Sequence, residues 1–256
     1  MKTTAGFIGG GRITRIFLKG FSDAKLQFEK WVIFEPNAET AQSLKEQYPW
    51  IELADTPQSA ARQNFVFLAV HPPIMMETLQ NIKDSVNKDS VVISLAPKIT
   101  LEKMAGVLPT KNLVRMIPNA TSIINEGFNP LAFHAEMEEE LIHKCLKIMK
   151  KLGKTFETEE SKLEGYAINS AMLPTYFWFQ WQELEKIATE TGLSAEEARK
   201  TVASTLKRAW KLYYKSGLTP EQVMDLIPVK PIGENEPEIR TILNNKLLGL
   251  YSKIKP

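Results

Sequence analysis

The stretch Ala5-Gly6-Phe7-Ile8-Gly9-Gly10-Gly11-Arg12-Ile13-Thr14 decides how the rest of the chain is read. Ala5 to Ile8 is a short apolar run that stops on three glycines. Beyond them Ile13, Ile16, Phe17 and Phe21 recur near the 3.6-residue period of an amphipathic helix. A glycine turn between a strand and a helix is where a dinucleotide fingerprint sits. The first glycine permits the tight turn, the second lets a pyrophosphate approach the backbone, and the helix N-terminus favours its charge. The third fingerprint position holds Thr14 instead of Gly or Ala. That position governs how closely helix and strand pack, so a slightly wider fit is expected rather than loss of binding.

Outward from the turn, strand and helix signals keep alternating. Trp31-Val32-Ile33-Phe34 is a second strand, closed by Glu35-Pro36-Asn37, and a polar helix runs from Ala38 to Gln47. Thr56-Pro57 has the form of a helix cap followed by proline at the first helical position. Phe65 to Val70 is apolar without alternation, which fits a strand buried on both faces of a parallel sheet. Val91 to Leu95 repeats the pattern, and Leu113-Val114-Arg115-Met116 does so more weakly. Strands separated by helices predict βαβ units and a mostly parallel, doubly wound α/β sheet of the Rossmann type.

From about Ser161 the strand signals vanish. Leu163 to Ile187 is expected as a long helix kinked or interrupted at Pro174. Ser194 to Tyr214 is a second helix, capped by Ser194 with Glu197 as capping-box partner. Thr219-Pro220 opens a third that reaches about Ile227. A proline-interrupted loop spans Pro228 to Pro237, and Glu238 to Ile254 is the last helix. The polar stretch Glu157-Thr158-Glu159-Glu160-Ser161 suggests a boundary between a Rossmann domain, 1–158, and an all-helical domain, 159–256.

Composition narrows the function classes. The chain has 256 residues, with 32 Lys+Arg against 30 Asp+Glu and one cysteine. No cationic run supplies the electrostatic footprint of a nucleic-acid-coating protein. One cysteine cannot form an intrachain disulfide, so the fold does not depend on an oxidising compartment. No apolar run approaches the roughly 18 residues of a membrane span. Met1-Lys2-Thr3-Thr4 leads straight into the first strand, with no signal-peptide pattern. A soluble, cytoplasmic protein is expected.

Several residues stand where ligands of open α/β sheets bind. Glu35, at the end of the second strand, can accept hydrogen bonds from an adenosine ribose diol and would repel a 2′-phosphate, which leans towards NADH. Arg12 and Asn37 are close enough in sequence to soften that preference. His71, in Ala69-Val70-His71-Pro72-Pro73, is the one histidine at a strand's carboxyl end. It is expected to line the cleft, with contact to a cofactor or a proton-source role as the alternatives. His134 and His143 are expected at the surface, and Cys145 on an apolar helix stripe with Leu141 and Met149. No His/Cys/carboxylate cluster has metal-ligand spacing.

These residues, in order, resemble the pyrroline-5-carboxylate reductase family. The match runs through Gly6-Phe7-Ile8-Gly9-Gly10-Gly11, Phe67-Leu68-Ala69-Val70-His71-Pro72, Arg115-Met116-Ile117-Pro118-Asn119-Ala120, Gly127 and Ser170-Ala171-Met172-Leu173-Pro174-Thr175-Tyr176. The resemblance implies hydride transfer from NADPH or NADH to a cyclic imine, 1-pyrroline-5-carboxylate or a relative. It leans towards NADPH, against Glu35. It implies cofactor contacts at Gly9, Gly10, Gly11, Arg12, Ile13, Ala69, Val70, His71, Pro72 and Asn119. Ser170, Tyr176 and Asn235 would stand beside the reacting atoms. It also implies a homodimer, or a larger assembly, through interlocked helical domains. The chain departs from the family at His71, at Ala120-Thr121 and within Ser170–Tyr176, and the largest departure is in the substrate loop. Where the family carries Ser-Pro-Gly-Gly-Thr-Thr, this chain has Lys230-Pro231-Ile232-Gly233-Glu234-Asn235, so Lys230, Gly233, Glu234 and Asn235 would face the substrate. Glu234 puts a carboxylate where the family holds one of the substrate's. Tyr176 to Phe179 with Trp181 is expected as core or interface, Tyr176 excepted.

Two other readings compete. A β-hydroxyacid dehydrogenase uses a helix-borne lysine with asparagine four residues on, and here Lys162 is followed by Tyr166. A non-catalytic dinucleotide-binding regulatory paralogue would keep the glycine turn and let the substrate loop diverge.

Overall fold

The computed structural model describes residues 3–256; Met1 and Lys2, part of the signal-peptide reading, lie outside the described residues. The chain forms two compact units, one reaching to Ala171 and rejoined by Leu250–Pro256, the other Met172–Gly249.

The first unit is built on one sheet of eight strands: β1 (Thr4–Ile8), β2 (Lys30–Phe34), β3 (Glu52–Ala54), β4 (Phe65–Leu68), β5 (Val91–Ser94), β6 (Leu113–Met116), β7 (Gly127–Phe133) and β8 (Gly153–Glu157). Their order is β3-β2-β1-β4-β5-β6-β7-β8. Every neighbouring pair is parallel except β6 with β7. Its helices are α1 (Arg12–Asp23), α2 (Ala38–Gln47), α3 (Pro57–Ala61), α4 (Pro72–Ile82), α5 (Leu101–Ala105), α6 (Glu139–Met149) and the single turn α7 (Leu163–Tyr166). The unbroken apolar runs at β4 and β5 are buried residue for residue, as a sheet covered on both faces requires. An aromatic cluster fixes α1 on the sheet. Phe7 of β1 stacks on Phe67 of β4 at 4.4 Å between ring centroids, and Phe17 of α1 meets both rings edge-on. Edge-to-face and offset stacks of this kind add to plain burial.

Three strands carried no signal in the sequence. β3 is three residues long and mostly exposed, β7 contains Asn129 and Pro130, and β8 alternates Lys, Thr and Glu with Phe. All lie in the outer part of the sheet, where pairing and not an apolar run makes the strand. The polar stretch at 157–161 does not part the units, which divide some residues later. Glu160 and Glu164 ion-pair with Arg115 of β6, and Asn119 binds the Ser170 carbonyl, so residues 160–171 stay on the sheet.

The expected long helix from Leu163 is broken into α7, a π-helical turn at Ala167–Ala171 and a 3-10 turn at Leu173–Tyr176 that carries Pro174 in its first turn. The second unit then holds α8 (Trp178–Glu190), α9 (Ala195–Lys215) and α10 (Pro220–Asp225), and α11 (Glu236–Ile254) begins in it. Ser194 and Glu197 form the capping box of α9, and Thr219 with Gln222 forms another at α10. The last helix starts two residues earlier than its sequence suggests, with Pro237 accommodated in its first turn. Among the described residues no helix is long and apolar enough to cross a membrane.

Candidate active site

The strand order reverses at β1: the chain leaves it towards β2 and β3, then returns to β4 on its other side. The crevice between the carboxyl ends of β1 and β4 is therefore the place where an open α/β sheet binds its ligand. Gly9, Gly10 and Gly11 form the turn there. Gly9 has φ +103°, and a Cβ on it would lie 2.5 Å from the Ala69 carbonyl oxygen, so only glycine fits. Its N–H donates to the Phe34 carbonyl at 2.8 Å, and its carbonyl accepts from the Thr14 hydroxyl at 2.6 Å. Thr14 is fully buried, so the larger third fingerprint residue is spent on tying down the turn.

Glu35 holds the turn from the β2 side. One carboxylate oxygen accepts from Gly10 N–H at 2.7 Å and the other from Asn37 N–H at 3.0 Å. A Cβ on Gly10 would stand 2.9 Å from Glu35 Cβ, so glycine leaves the room this side chain occupies. Gly11 is different. Its Cβ position meets nothing within 4 Å, and it caps α1 without any side-chain hydrogen bond. The first-turn N–H groups of α1, at Arg12, Ile13 and Thr14, have no intrahelical acceptor, and the first turn carries no acidic side chain. That is an open, electropositive cradle of the size and polarity a pyrophosphate needs.

Two cavities flank the cradle. One, of about 470 Å3, is lined by Gly11, Arg12, Ile13, Ala69 to Pro72 and Leu95 to Pro97. The other, of about 340 Å3, lies on the β2 side among Gly9, Phe34, Pro36, Val70, Ile74 and Glu77. An extended ligand with a central anion and a ring at each end fits this layout, and the residues present therefore fit a nicotinamide dinucleotide. Arg12, Ile13, Gly11, Ala69, Val70, His71 and Pro72 are thus brought around one space. His71 is the exposed N-cap residue of α4 and makes no cap bond of its own.

Asn119 is nearly buried and accepts from Thr121 N–H and hydroxyl, while its Nδ2 donates to the Ser170 carbonyl at 3.2 Å. Ser170 lies in the π-helical turn, and its hydroxyl donates to the Tyr166 carbonyl. Single π turns inside helices are frequent at functional sites. Tyr176, Lys230, Gly233, Glu234 and Asn235 belong to the second unit. Tyr176 is half-buried, and burial raises its phenol pKa. Lys230, Glu234 and Asn235 are exposed; the turn Gly233–Asn235 uses Gly233 N–H and Asn235 N–H on the carbonyls of Lys230 and Ile232.

The surface expectation for His134 needs correcting, the apolar placement of Cys145 holds, and one group was missed. His134 is buried, at 8% exposure, because the turn after β7 folds back and Glu136 N–H donates to its Nδ1. Cys145 is fully buried, and burial pushes its thiol up to about 12. The wall formed by Leu95, Ala96 and Pro97 was not singled out, although its place after an unbroken apolar strand was the available signal. Among the described residues no group of three His, Cys, Asp or Glu side chains is placed to hold a metal.

Comparison with known proteins agrees with this geometry. Residues 4–98 match the family model described as NADP oxidoreductase coenzyme F420-dependent. The pyrroline-5-carboxylate reductase of Escherichia coli (strain K12) is 27% identical over 231 residues, 89% of this chain and 85% of that one. That of Corynebacterium melassecola is 23% identical over 256 residues, 97% and 93% of the two chains. The fold is shared with the Plasmodium falciparum pyrroline carboxylate reductase solved with NADP bound, at a TM-score of 0.75, 20% identity and coverage of 99% and 95%. The Streptococcus pyogenes 1-pyrroline-5-carboxylate reductase gives a TM-score of 0.74 at 20% identity, covering 98% and 96%. Fold and site together define an NAD(P)-dependent oxidoreductase of the Rossmann class. Within that class, the chain is similar along most of its length to pyrroline-5-carboxylate reductases.

Proposed function

We propose that this protein reduces the C=N bond of a small cyclic imine, 1-pyrroline-5-carboxylate or a close relative, with NADH as the preferred reductant. The observation that carries the reading is the open Gly11 face at the head of α1, set between two cavities at the strand-order reversal. Bound nicotinamide supplies the hydride. The rest is left to this chain's own residues. Gly11 and the first turn of α1 hold the pyrophosphate. Glu35 receives the ribose hydroxyls and disfavours a 2′-phosphate. The walls formed by Ala69–Pro72 and Leu95–Pro97 keep water from the nicotinamide side. Ser170, Tyr176 and Asn235 are assigned to the imine end, where a hydrogen bond to the ring nitrogen favours addition at carbon.

Homodimerisation through the second unit belongs to the same proposal. Trp178, Phe179, Trp210, Tyr214, Ile227 and Ile232 are each between 44% and 68% exposed there, far more apolar surface than a lone helical unit carries without a partner. Mass in solution tests this point, and a monomer at micromolar concentration refutes it.

The decisive experiment follows oxidation of NADH and NADPH with 1-pyrroline-5-carboxylate and a panel of other cyclic imines. Turnover on at least one imine is expected. Tight dinucleotide binding without turnover on any of them would replace the reductase by a dinucleotide-binding regulator, a role for which the altered loop at Lys230–Asn235 is the best support.

A further inference from the structure

We propose that the cluster of buried Arg115 and Glu164 with part-buried Glu160 is a positioning device for the dinucleotide, which shapes the loop at residues 95–100 that walls the larger cavity. The inference rests on the reading above, that this cavity receives the nicotinamide end. Arg115 lies in the middle of the buried strand β6 with its side chain 1% exposed. Its guanidinium donates to Glu160 at 3.0 Å and, in a short contact, to Glu164, which is itself buried. The same Glu160 oxygen accepts Leu101 N–H at 2.7 Å, and the same Glu164 oxygen faces Lys98 N–H at 3.4 Å. Lys98 lies in the connection from β5 to α5 and Leu101 opens α5, so the two bonds hold the far end of a connection whose Leu95, Ala96 and Pro97 face the cavity opposite Gly11, Arg12 and Ile13.

Two features argue that this arrangement does more than hold the sheet together. A cation with two carboxylates inside a strand is a poor way to gain stability, since apolar side chains of similar volume would pack there without desolvating charge. The Arg115 Nε, moreover, is buried with no acceptor. Lys98 also adopts φ +75° although its side chain is exposed and gains nothing from packing there. A left-handed conformation at a non-glycine residue persists where its surroundings over-determine it. Here the surroundings are the two carboxylates, held in turn by Arg115. Asn119 ties the far end of the segment at Ser170, so the segment that carries both glutamates is fixed at each end to β6 and its exit.

The test compares wild type with Arg115→Met and Glu160→Ala in two readouts: the NADH and NADPH dissociation constants, and the rate at which trypsin cuts the Lys98–Ile99 bond in the folded protein. Arg115→Met should weaken the preferred dinucleotide at least tenfold and Glu160→Ala three- to tenfold. Both should speed cleavage after Lys98, which the dinucleotide suppresses in wild type. Adding Lys98→Asn to Glu160→Ala should recover part of the affinity, because asparagine tolerates the left-handed region. A merely structural cluster would lower the unfolding temperature and leave affinity and cleavage at Lys98 unchanged, and that result overturns the proposal. If Arg115→Met does not fold, Glu160→Ala decides alone. Wild type that binds neither dinucleotide refutes the cofactor reading instead, and unchanged cleavage in Glu160→Ala would then refute the clamp separately.

Discussion

Replacing Gly11 by alanine separates what the turn does for the fold from what it does for a ligand. In the protein itself the new methyl meets nothing within 4 Å. The backbone at Gly11, φ −70° and ψ −161°, is extended and open to alanine. Alanine is a poorer helix cap than glycine by a few tenths of a kcal/mol or more, but it also lowers the entropy of the unfolded chain by about 0.4–1 kcal/mol. The two terms oppose, so stability should move by less than about 1 kcal/mol, about 2–4 °C in Tm at most for a chain of this size. Binding should respond quite differently. The methyl would occupy the face on which the pyrophosphate approaches the first turn of α1, and losing one hydrogen bond to a charged oxygen costs about 1.5–3 kcal/mol. That is roughly a 10- to 150-fold rise in the dinucleotide Kd. Titration of NADH against intrinsic tryptophan fluorescence, beside a thermal melt of the same samples, reads both quantities. A Kd within about twofold of wild type, with the fold intact, would refute the assignment of this face to the pyrophosphate.

Further outcomes follow from the same residues. Glu35→Ser should shift selectivity towards NADPH, since like charges ~4 Å apart repel by about 1–4 kcal/mol at water-like to surface-like dielectrics. The ratio of the two dissociation constants checks it, and wild type that already prefers NADPH would contradict the ribose argument. Glu234→Thr should raise kcat/KM for 1-pyrroline-5-carboxylate several-fold, by removing a carboxylate from a loop that precedes a helix with Glu236 and Glu238 in its first turn; no gain would mean that Glu234 does not oppose the substrate. Cys145 should resist alkylation at neutral pH in the native protein, because a buried thiol pushed up to about 12 stays protonated. Labelling should appear only on unfolding, as a mass shift after denaturation, and rapid native labelling would show that α6 opens.

The parts of the fold legible in the sequence are those whose burial forces a composition. β1, β4 and β5 lie inside a covered sheet, so their residues are apolar without alternation and the βαβ rhythm shows. β6 reads weakly for a reason the structure supplies: its third residue is Arg115, buried only because Glu160 and Glu164 come to it from much later in the chain. The outer strands β3, β7 and β8 exist through hydrogen bonding to a neighbour and carry Glu, Asn, Pro, Lys and Thr, residues that composition alone assigns to loops. The same limit applies to the site. The glycine turn and the strand ends at Glu35 and His71 could be found because backbone geometry demands particular residues at fixed places. The wall at Leu95–Pro97 and the clamp beneath it depend on pairings across 45 to 66 positions, from Arg115 with Glu160 to Lys98 with Glu164, which no local pattern records.

The glycine turn and the cofactor-selecting carboxylate also prove to be one structure. Glu35 spends an oxygen on Gly10 N–H and another on Asn37 N–H, so it shapes the turn before any ligand arrives. A carboxylate has about four lone-pair sites, and two of them are left for a ribose diol. The two tasks are therefore compatible for glutamate and not for a residue with one short hydroxyl. Selectivity for the adenosine end cannot be changed at residue 35 without loosening the loop that holds the pyrophosphate. Thr14 works from the other side, its hydroxyl fixing the Gly9 carbonyl. With the turn held at Gly9 and Gly10 by side chains, Gly11 alone is left open, which is why that one position reports on the ligand and its two neighbours report on the fold.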